Sequence, residues 1–398
     1  MQKSDQLPAV SSAVRSYLLD DELLLFSAHA HALFRLNPSA AFIWCCCEEG
    51  LDRPKIVKEM VQAFKLPVTQ AEQDLDAILA EWETRGLLGH SDEPPAATTE
   101  DTATDNEAIP EPQTRIHEFP TERRYRMFET IFQLRFSEAA LVPFAQSAFA
   151  HLAVDDSCPF DVTLDVQRDA RGYFLFCDDQ PVAFCNTEQE LAPLLHGQVV
   201  ADAYQRADCL ITFHAAAVSN GKECLVFPAL SGSGKSTLTA ALVASGFSYC
   251  TDELVLLQPK THRVRSIAAG IGIKPGSWEV LQAFYPHISD LPIHLRLDDQ
   301  EVRYLIPEKH QLTDDMTQHH PVRALVFPSY RTGIDPCLER LTSADALCRL
   351  TDAGTDMEGE LDSASVTELI DWISGMDSYE LRYSDLGDAI VHVRKLLS

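Results

Sequence analysis

The chain has 398 residues, with 60 acidic against 32 basic side chains and a formal net charge of −28; 45% of residues are hydrophobic and 23% charged. That length exceeds one ordinary core and implies two or three domains, and the composition excludes wholesale disorder or a fibrous repeat. The acidic excess repels phosphate backbones and anionic lipid, so neither nucleic acid nor a membrane is expected as a partner.

Met1 to Leu18 mixes Lys3, Asp5 and Arg15 with short apolar pieces and has no secretory core. No apolar run reaches the ~20 residues needed to cross a bilayer, so a cytoplasmic location is expected. The eleven cysteines are odd in number and form no C-x-x-C pair, although Cys45, Cys46 and Cys47 are adjacent. Reduced, mostly buried thiols are expected.

The run LLLFSAHAHALFRLN predicts two short strands joined by a turn, and PSAAFIWCCCEEG a helix capped by Asn37. RPKIVKEMVQAF and TQAEQDLDAILAEWETRGLL carry i, i+3, i+4 apolar spacing, with Thr69 opening the second helix and Gly86 closing it. The result is a small winged-helix-like α+β unit.

Leu36-Asn37, Ala40, Ile43-Trp44, Glu49-Gly50, Ile56-Val57, Asp74-Leu75 and Arg85-Gly86-Leu87 together resemble the PqqD family over most of residues 15–90. Glu49 stands where that family usually has Asp. The resemblance implies that residues 1–90 bind the leader of a precursor peptide. The leader would add as a strand to the hairpin edge and lie in the groove beside the last helix.

Ser91 to Gln113 replaces periodic apolar residues by Pro, Thr, Ala and acid, which predicts a flexible acidic linker over 91–114. Residues 115–204 read as an α+β region. Within it ERRYRMFETIFQLRFSEAALVPFAQSAFAHLAV holds at least one amphipathic segment, FDVTLDVQRDARGYFLFCDDQPVAFCN alternates like paired strands, and TEQELAPLLHGQVVADAYQRA reads as a helix.

Residues 205–398 carry the chemistry. A strand over 222–227 and a helix from Lys235 flank Ala229-Leu-Ser-Gly-Ser-Gly-Lys-Ser236, the P-loop pattern with Ala at its first position. Gly232 and Gly234 allow a backbone that curls consecutive N–H groups around a phosphate, and the helix adds its positive end. Ser231, Gly232, Ser233, Gly234, Lys235, Ser236 and Thr237 are the nucleotide-binding candidates. Lys235 can reach the β and γ oxygens and Ser236 a Mg²⁺ ion. Asp252 and Glu253 follow on the next strand, where one carboxylate can hold metal while the other takes a proton. His214, on the strand before, reads by itself as a packed core histidine.

His214, the run ALSGSGKSTL and then TDE resemble the HPr serine kinase family, which shares its fold with phosphoenolpyruvate carboxykinase. The likeness is strong over 205–258 and fainter in IKPGSWEVL, RALVFPSY and YELRYSDLGDAIVHVRKLL. It implies an α/β P-loop kinase with ATP or GTP and Mg²⁺ as cofactors. Asp252, His214, Lys235 and Glu253 would be catalytic, Ser236, Asp252 and Glu253 would be metal ligands, and Lys274 is a weaker candidate. Relatives are often homo-oligomers. The family region that supports reverse phosphorolysis has no counterpart here, which argues against HPr as the substrate.

His310 with His319-His320 beside Pro321 reads as an exposed loop, and Arg303 and Arg331 as surface residues. The combination predicts a kinase acting on Ser or Thr of a captured precursor peptide or small protein. The alternatives are a kinase of a small molecule or carrier protein, or a nucleotide-gated peptide chaperone that transfers nothing.

Overall fold

The computed structural model describes residues 7, 9–30, 32–89, 109–230, 232–265, 268–312, 319–353, 355–356 and 363–397. Most of the expected linker and the candidate Ser231 lie outside them. The chain divides into two compact units. The first joins Met1–Thr104 to Thr342–Cys348 and Met357–Gly375, and the second takes Asp105–Leu341, Arg349–Asp356 and Met376–Ser398.

In the first unit β1 (Val14–Leu19), β2 (Glu22–Ser27) and β3 (Ala32–Arg35) form an antiparallel sheet in that order. β1 was not foreseen, because Arg15, Ser16 and Tyr17 interrupt any apolar alternation. Asn37 caps α1 (Pro38–Glu48) by accepting from the Ala40 amide at 2.8 Å, and Asp52 caps α2 (Arg53–Phe64) through Lys55 N at 3.1 Å.

α3 (Val68–Thr84) starts one residue before Thr69, with Pro67 in the cap position and no side-chain cap bond. Thr69 therefore lies within the first turn, and proline's fixed φ sets the start. Gly86, at φ +68°, ends the helix region as expected. Trp44 and Trp82 meet edge to face at the centre of the core, their rings 5.1 Å apart.

Residues from near the C terminus complete this unit. The Tyr17 hydroxyl lies 3.3 Å from the Ser363 carbonyl and 3.2 Å from Thr367 Oγ1, on a helix running Ser363–Ser374. Asp20 accepts from the amides of Ser343 and Ala344 at 2.7 and 3.3 Å. It caps the helix that starts at Ser343 from more than three hundred residues away.

The second unit opens with β4 (Thr121–Met127), β5 (Thr130–Phe136), α4 (Val142–Phe149), β6 (Ala153–Val154), β7 (Val162–Arg168), β8 (Tyr173–Cys177) and β9 (Gln180–Cys185). Their six strands form one sheet in the order β6-β4-β5-β7-β8-β9. Much of the segment expected to be amphipathic is thus the β4–β5 hairpin, and its helical part is α4. The sheet's core includes buried residues of α4 and of α5 (Glu188–Gln205), whose first turn is closed by a Thr187–Glu190 capping box.

The rest runs through β10 (Ile211–Ser219), β11 (Cys224–Pro228), α6 (Lys235–Ala244), β12 (Ser248–Thr251), β13 (Leu254–Leu257), β14 (Arg263–Arg265), β15 (Ile271–Ile273), α7 (Trp278–Leu281), β16 (His294–Leu295) and β17 (Glu301–Leu305). It continues with β18 (His319–Tyr330), β19 (Cys337–Arg340), α8 (Ser343–Asp352), β20 (Thr355–Asp356), α9 (Ser363–Ser374), β21 (Ser378–Tyr383) and α10 (Leu386–Leu396).

Two long strands organise this body. β10 pairs with β13 through its first half and with β11 and β12 through its second. β18 pairs antiparallel with β14 and parallel with both β11 and β21. β11, the strand before the glycine turn, is therefore held between an antiparallel and a parallel neighbour, with α6 and α10 contributing to the core that includes it.

His319 and His320 form the start of β18 opposite Arg265 and Val264, and His320 is 2% exposed. They are strand residues, not loop residues; pairing with β14 outweighs the turn signal of Pro321. Arg303 is buried as well, donating to the Ile288 carbonyl with its guanidinium 4.2 Å from the Trp278 ring centre. Its burial against Ile288 and Trp278 removes it from the surface phosphate contacts the sequence suggested, whereas Arg331 is exposed.

Candidate functional site

β11 ends at Pro228, and the chain turns through Gly232 (φ +82°) and Gly234 (φ +91°) into α6. Both conformations lie in the left-handed region that glycine alone adopts freely. A β-carbon at Gly234 would also stand 3.5 Å from the Tyr383 hydroxyl. α6 buries Leu238, Ala241 and Leu242, which anchors the helix and leaves its first amides facing the turn.

Lys235 is 6% exposed and folds back over the loop, donating to the carbonyls of Ala229 and of Leu230, the latter at 3.1 Å. Burial pushes its ammonium down to about 8, against the opposing pull of Asp252 and Glu253. The Ser233 hydroxyl is buried without a partner among the described residues. Thr237 Oγ1 meets Ser277 Oγ at 2.5 Å, which ties the start of α6 to the turn after Lys274.

The acidic pair sits where β10 changes partner. Thr251, at the end of β12, pairs with Ala217, and a register shift follows on β10 between Ala217 and Val218. β13 then pairs Leu254 with His214. Asp252 and Glu253 occupy the bend between these two strands, fixed by the Ala215 amide donating to the Glu253 carbonyl at 3.2 Å. The change of partner re-aims the two carboxylates as a bulge does.

Asp252 is 8% exposed. It accepts from the Tyr249 hydroxyl at 2.8 Å and from the Gly272 amide at 3.2 Å, and the Ser236 hydroxyl bonds it too. Burial, reinforced by the neighbouring Glu253, lifts its carboxyl to about 7 in spite of these donors. His214 is half-buried; desolvation and then Lys235 push its imidazole down, while Glu253 acts in the opposite direction.

His214, Lys235, Ser236, Asp252 and Glu253, spread over forty positions of sequence, are thus neighbours in space. Lys274, at the start of the turn that carries Ser277, is close enough for its charge to act on Lys235. Tyr249, Gly272, Ser277 and Tyr383 also belong to the site. Sequence reading missed them, since nothing in their local pattern separates them from core or turn residues.

Among the described residues no group of three or more His, Cys, Asp or Glu side chains could hold a metal ion. The residues present nevertheless fit Mg²⁺ accompanied by phosphate. Asp252 is a buried carboxylate bonded only through neutral donors, with the Ser236 hydroxyl beside it. A hard cation completed by phosphate oxygens needs no more protein ligands than these.

The first unit offers a different surface. β3 pairs with β2 alone among the described residues, so its outer edge is open. Beside it lies a small groove of about 90 Å³ between Phe34 and Arg35 of β3 and Ile78, Glu81 and Trp82 of α3.

Residues 22–88 match the family model of coenzyme PQQ synthesis protein D, PqqD. They form a PqqD domain. Two solved structures are among those similar to this chain. One is TbiB1 in complex with the TbiA(beta) leader peptide, with 27% identity over 21% of this chain and 99% of that one, at a TM-score of 0.20. The other is the Hpr(Ser) kinase/phosphatase from Coxiella burnetii, with 12% identity over 46% of this chain and 96% of that one, at a TM-score of 0.23. No curated protein matches. The expected combination of a mixed α/β fold with an N-terminal PqqD domain is the one observed. No helix among the described residues is long and apolar enough to cross a membrane.

Proposed function

We propose that the second unit is a P-loop kinase that uses ATP or GTP with Mg²⁺ to phosphorylate a Ser or Thr hydroxyl on a precursor peptide or small protein held by the PqqD domain. The observation that carries this reading is the convergence of a left-handed glycine turn, a buried Lys235 and the Ser236–Asp252 pair at the start of α6. Such a constellation binds a triphosphate tail.

Ser236 and Asp252 would hold Mg²⁺, which neutralises phosphate charge when bound. Lys235 exchanges its two backbone carbonyls for β and γ oxygens, and the loop amides bind the same tail. Glu253, whose side chain is 42% exposed, accepts the acceptor hydroxyl proton. The freed oxygen attacks the γ-phosphorus, the bond from that phosphorus to the β–γ bridging oxygen breaks, and the nucleoside diphosphate leaves. His214, beside Lys235 and Glu253, adds a further contact to the transferred group.

Capture of the acceptor falls to the open edge of β3. An extended segment adding there would satisfy the free backbone groups and lay alternate side chains into the groove against α3. The PqqD match supports this half of the reading.

The test is incubation of the full chain with γ-labelled ATP, Mg²⁺ and a library of leader-bearing peptides containing Ser or Thr. One added phosphoryl group on a peptide, absent when the leader is removed, is expected. Nucleotide binding with no transfer to any peptide would leave a nucleotide-gated chaperone. Transfer to a small metabolite that does not depend on the PqqD domain would leave a small-molecule kinase.

A further inference from the structure

The acidic pair is supported from a second side. His196, on α5, is 7% exposed, and its ring lies nearly parallel to Phe149 (centres 5.9 Å apart, 8° between planes) and to Tyr304 (5.1 Å, 21°). Its Nδ1 stands 3.7 Å from Glu253 Oε2, and its Nε2 is buried with no hydrogen-bond partner among the described residues.

These facts select a protonation state. A neutral imidazole carries one N–H and one lone pair. Nε2 is unmatched in either tautomer, whereas an unprotonated Nδ1 would point its lone pair at the negative Glu253 carboxylate, so the proton belongs on the nitrogen that faces the carboxylate. Two near-parallel neighbouring rings, Phe149 and Tyr304, restrict the imidazole and so hold that N–H in place. Glu253, by contrast, is an exposed side chain on a bend, with rotamer freedom to lose before it can act.

We propose that His196 is a positioning residue: it donates Nδ1–H to Glu253 Oε2 and so turns the other carboxylate oxygen toward the acceptor hydroxyl. The assignment rests on the kinase reading and deepens it. At 3.7 Å the contact is an ion-pair approach that must shorten to become a hydrogen bond. Such contacts commonly tighten when a reacting complex forms.

The test uses the full chain and four variants: His196→Phe, which keeps an aromatic stack and removes the donor; His196→Asn, which keeps a donor near Nδ1; Glu253→Gln; and the Glu253→Gln, His196→Phe double. His196→Phe is expected to lower kcat by about a hundredfold, as for a misplaced reacting group. Its nucleotide Kd and melting temperature stay at the wild-type values, and His196→Asn recovers part of the loss. In the Glu253→Gln background His196→Phe has no further effect on kcat, because the base that His196 positions is already gone.

An equal loss from His196→Phe in both backgrounds, or a loss that follows melting temperature and nucleotide Kd, would show that His196 only packs. Imidazole nitrogen NMR of the wild-type chain gives a readout independent of turnover. An Nδ1–H tautomer supports the assignment and an Nε2–H tautomer overturns it. Should the wild type bind nucleotide yet phosphorylate nothing, the kinase reading itself has failed, and the positioning role falls with it whichever tautomer is seen.

Discussion

Asp252 and Lys235 are both held away from their comfortable charge states, and in opposite senses. The carboxyl titrates near 7 instead of 3.8, so its stabilising contribution is complete below the unfolded value and is lost as pH rises through 7. The ammonium titrates near 8 instead of 10.5, so its contribution is complete above the unfolded value and is lost as pH falls through 8. Removing the Asp252 charge therefore relieves the ligand-free fold. Asp252→Asn is expected to raise the melting temperature at pH 8, by up to about 4 kcal/mol in stability at 1.36 kcal/mol per pKa unit, while abolishing phosphoryl transfer. Calorimetry beside a transfer assay checks both halves. A variant that melts lower and still transfers would refute the site.

Gly234 makes a sharper test of the loop. Alanine there must hold a left-handed φ, at about 1–2 kcal/mol, with its methyl at ordinary contact distance from the Tyr383 hydroxyl. Gly234→Ala is expected to lower stability by that amount and to weaken nucleotide binding about tenfold or more, measured by titration calorimetry. A stability loss with unchanged nucleotide Kd would mean that the turn does not embrace phosphate.

Among the elements, those with a local signature were legible in the sequence. Asn37 and Pro38 announce α1, and Gly232 and Gly234 mark the turn before α6. β1 was hidden because its buried positions, Val14 and Leu19, are not in period-2 alternation: Arg15, Ser16, Tyr17 and an exposed Leu18 lie between them, and Tyr17 meets a helix more than three hundred residues away. The His319–His320 pair was misread because a proline outweighed a pairing that only β14 could supply. In the candidate site the glycine turn and the acidic pair could be picked out from their spacing. His196, Tyr249 and Gly272 did not, since their roles depend on the ring stacking of α5 and the register of β10. One element-scale consequence is measurable. Asp20→Ala removes the acceptor for the first two amides of α8 and leaves the Thr342 cap on Asp345 in place; it costs about 1 kcal/mol and should lower the melting temperature by a few degrees without altering nucleotide Kd. An unchanged melting temperature would show that the cap is dispensable.

At the scale of the whole molecule, each unit is assembled from separated stretches of chain. Residues 1–90 alone lack the helix that meets Tyr17 and the amides that Asp20 accepts from. That fragment is expected to melt below the corresponding region of the intact chain, and joining residues 342–375 to it by a short linker should recover part of the difference. Hydrogen exchange on β1 reports the effect directly, and equal protection in the fragment and the full chain would count against it.

The return of the chain through residues 342–375 bears on how such a fusion can change over time. A PqqD domain strung on a simple tether can be exchanged for another by recombination at the tether. Here a crossover near residue 91 would import a foreign hairpin facing the old Ser343 and Ser363 segments, with Tyr17 and Asp20 no longer matched. The PqqD domain and the Ser343 and Ser363 segments should then be inherited together, and surviving shuffled descendants should have breakpoints on both sides of the second segment as well as the first.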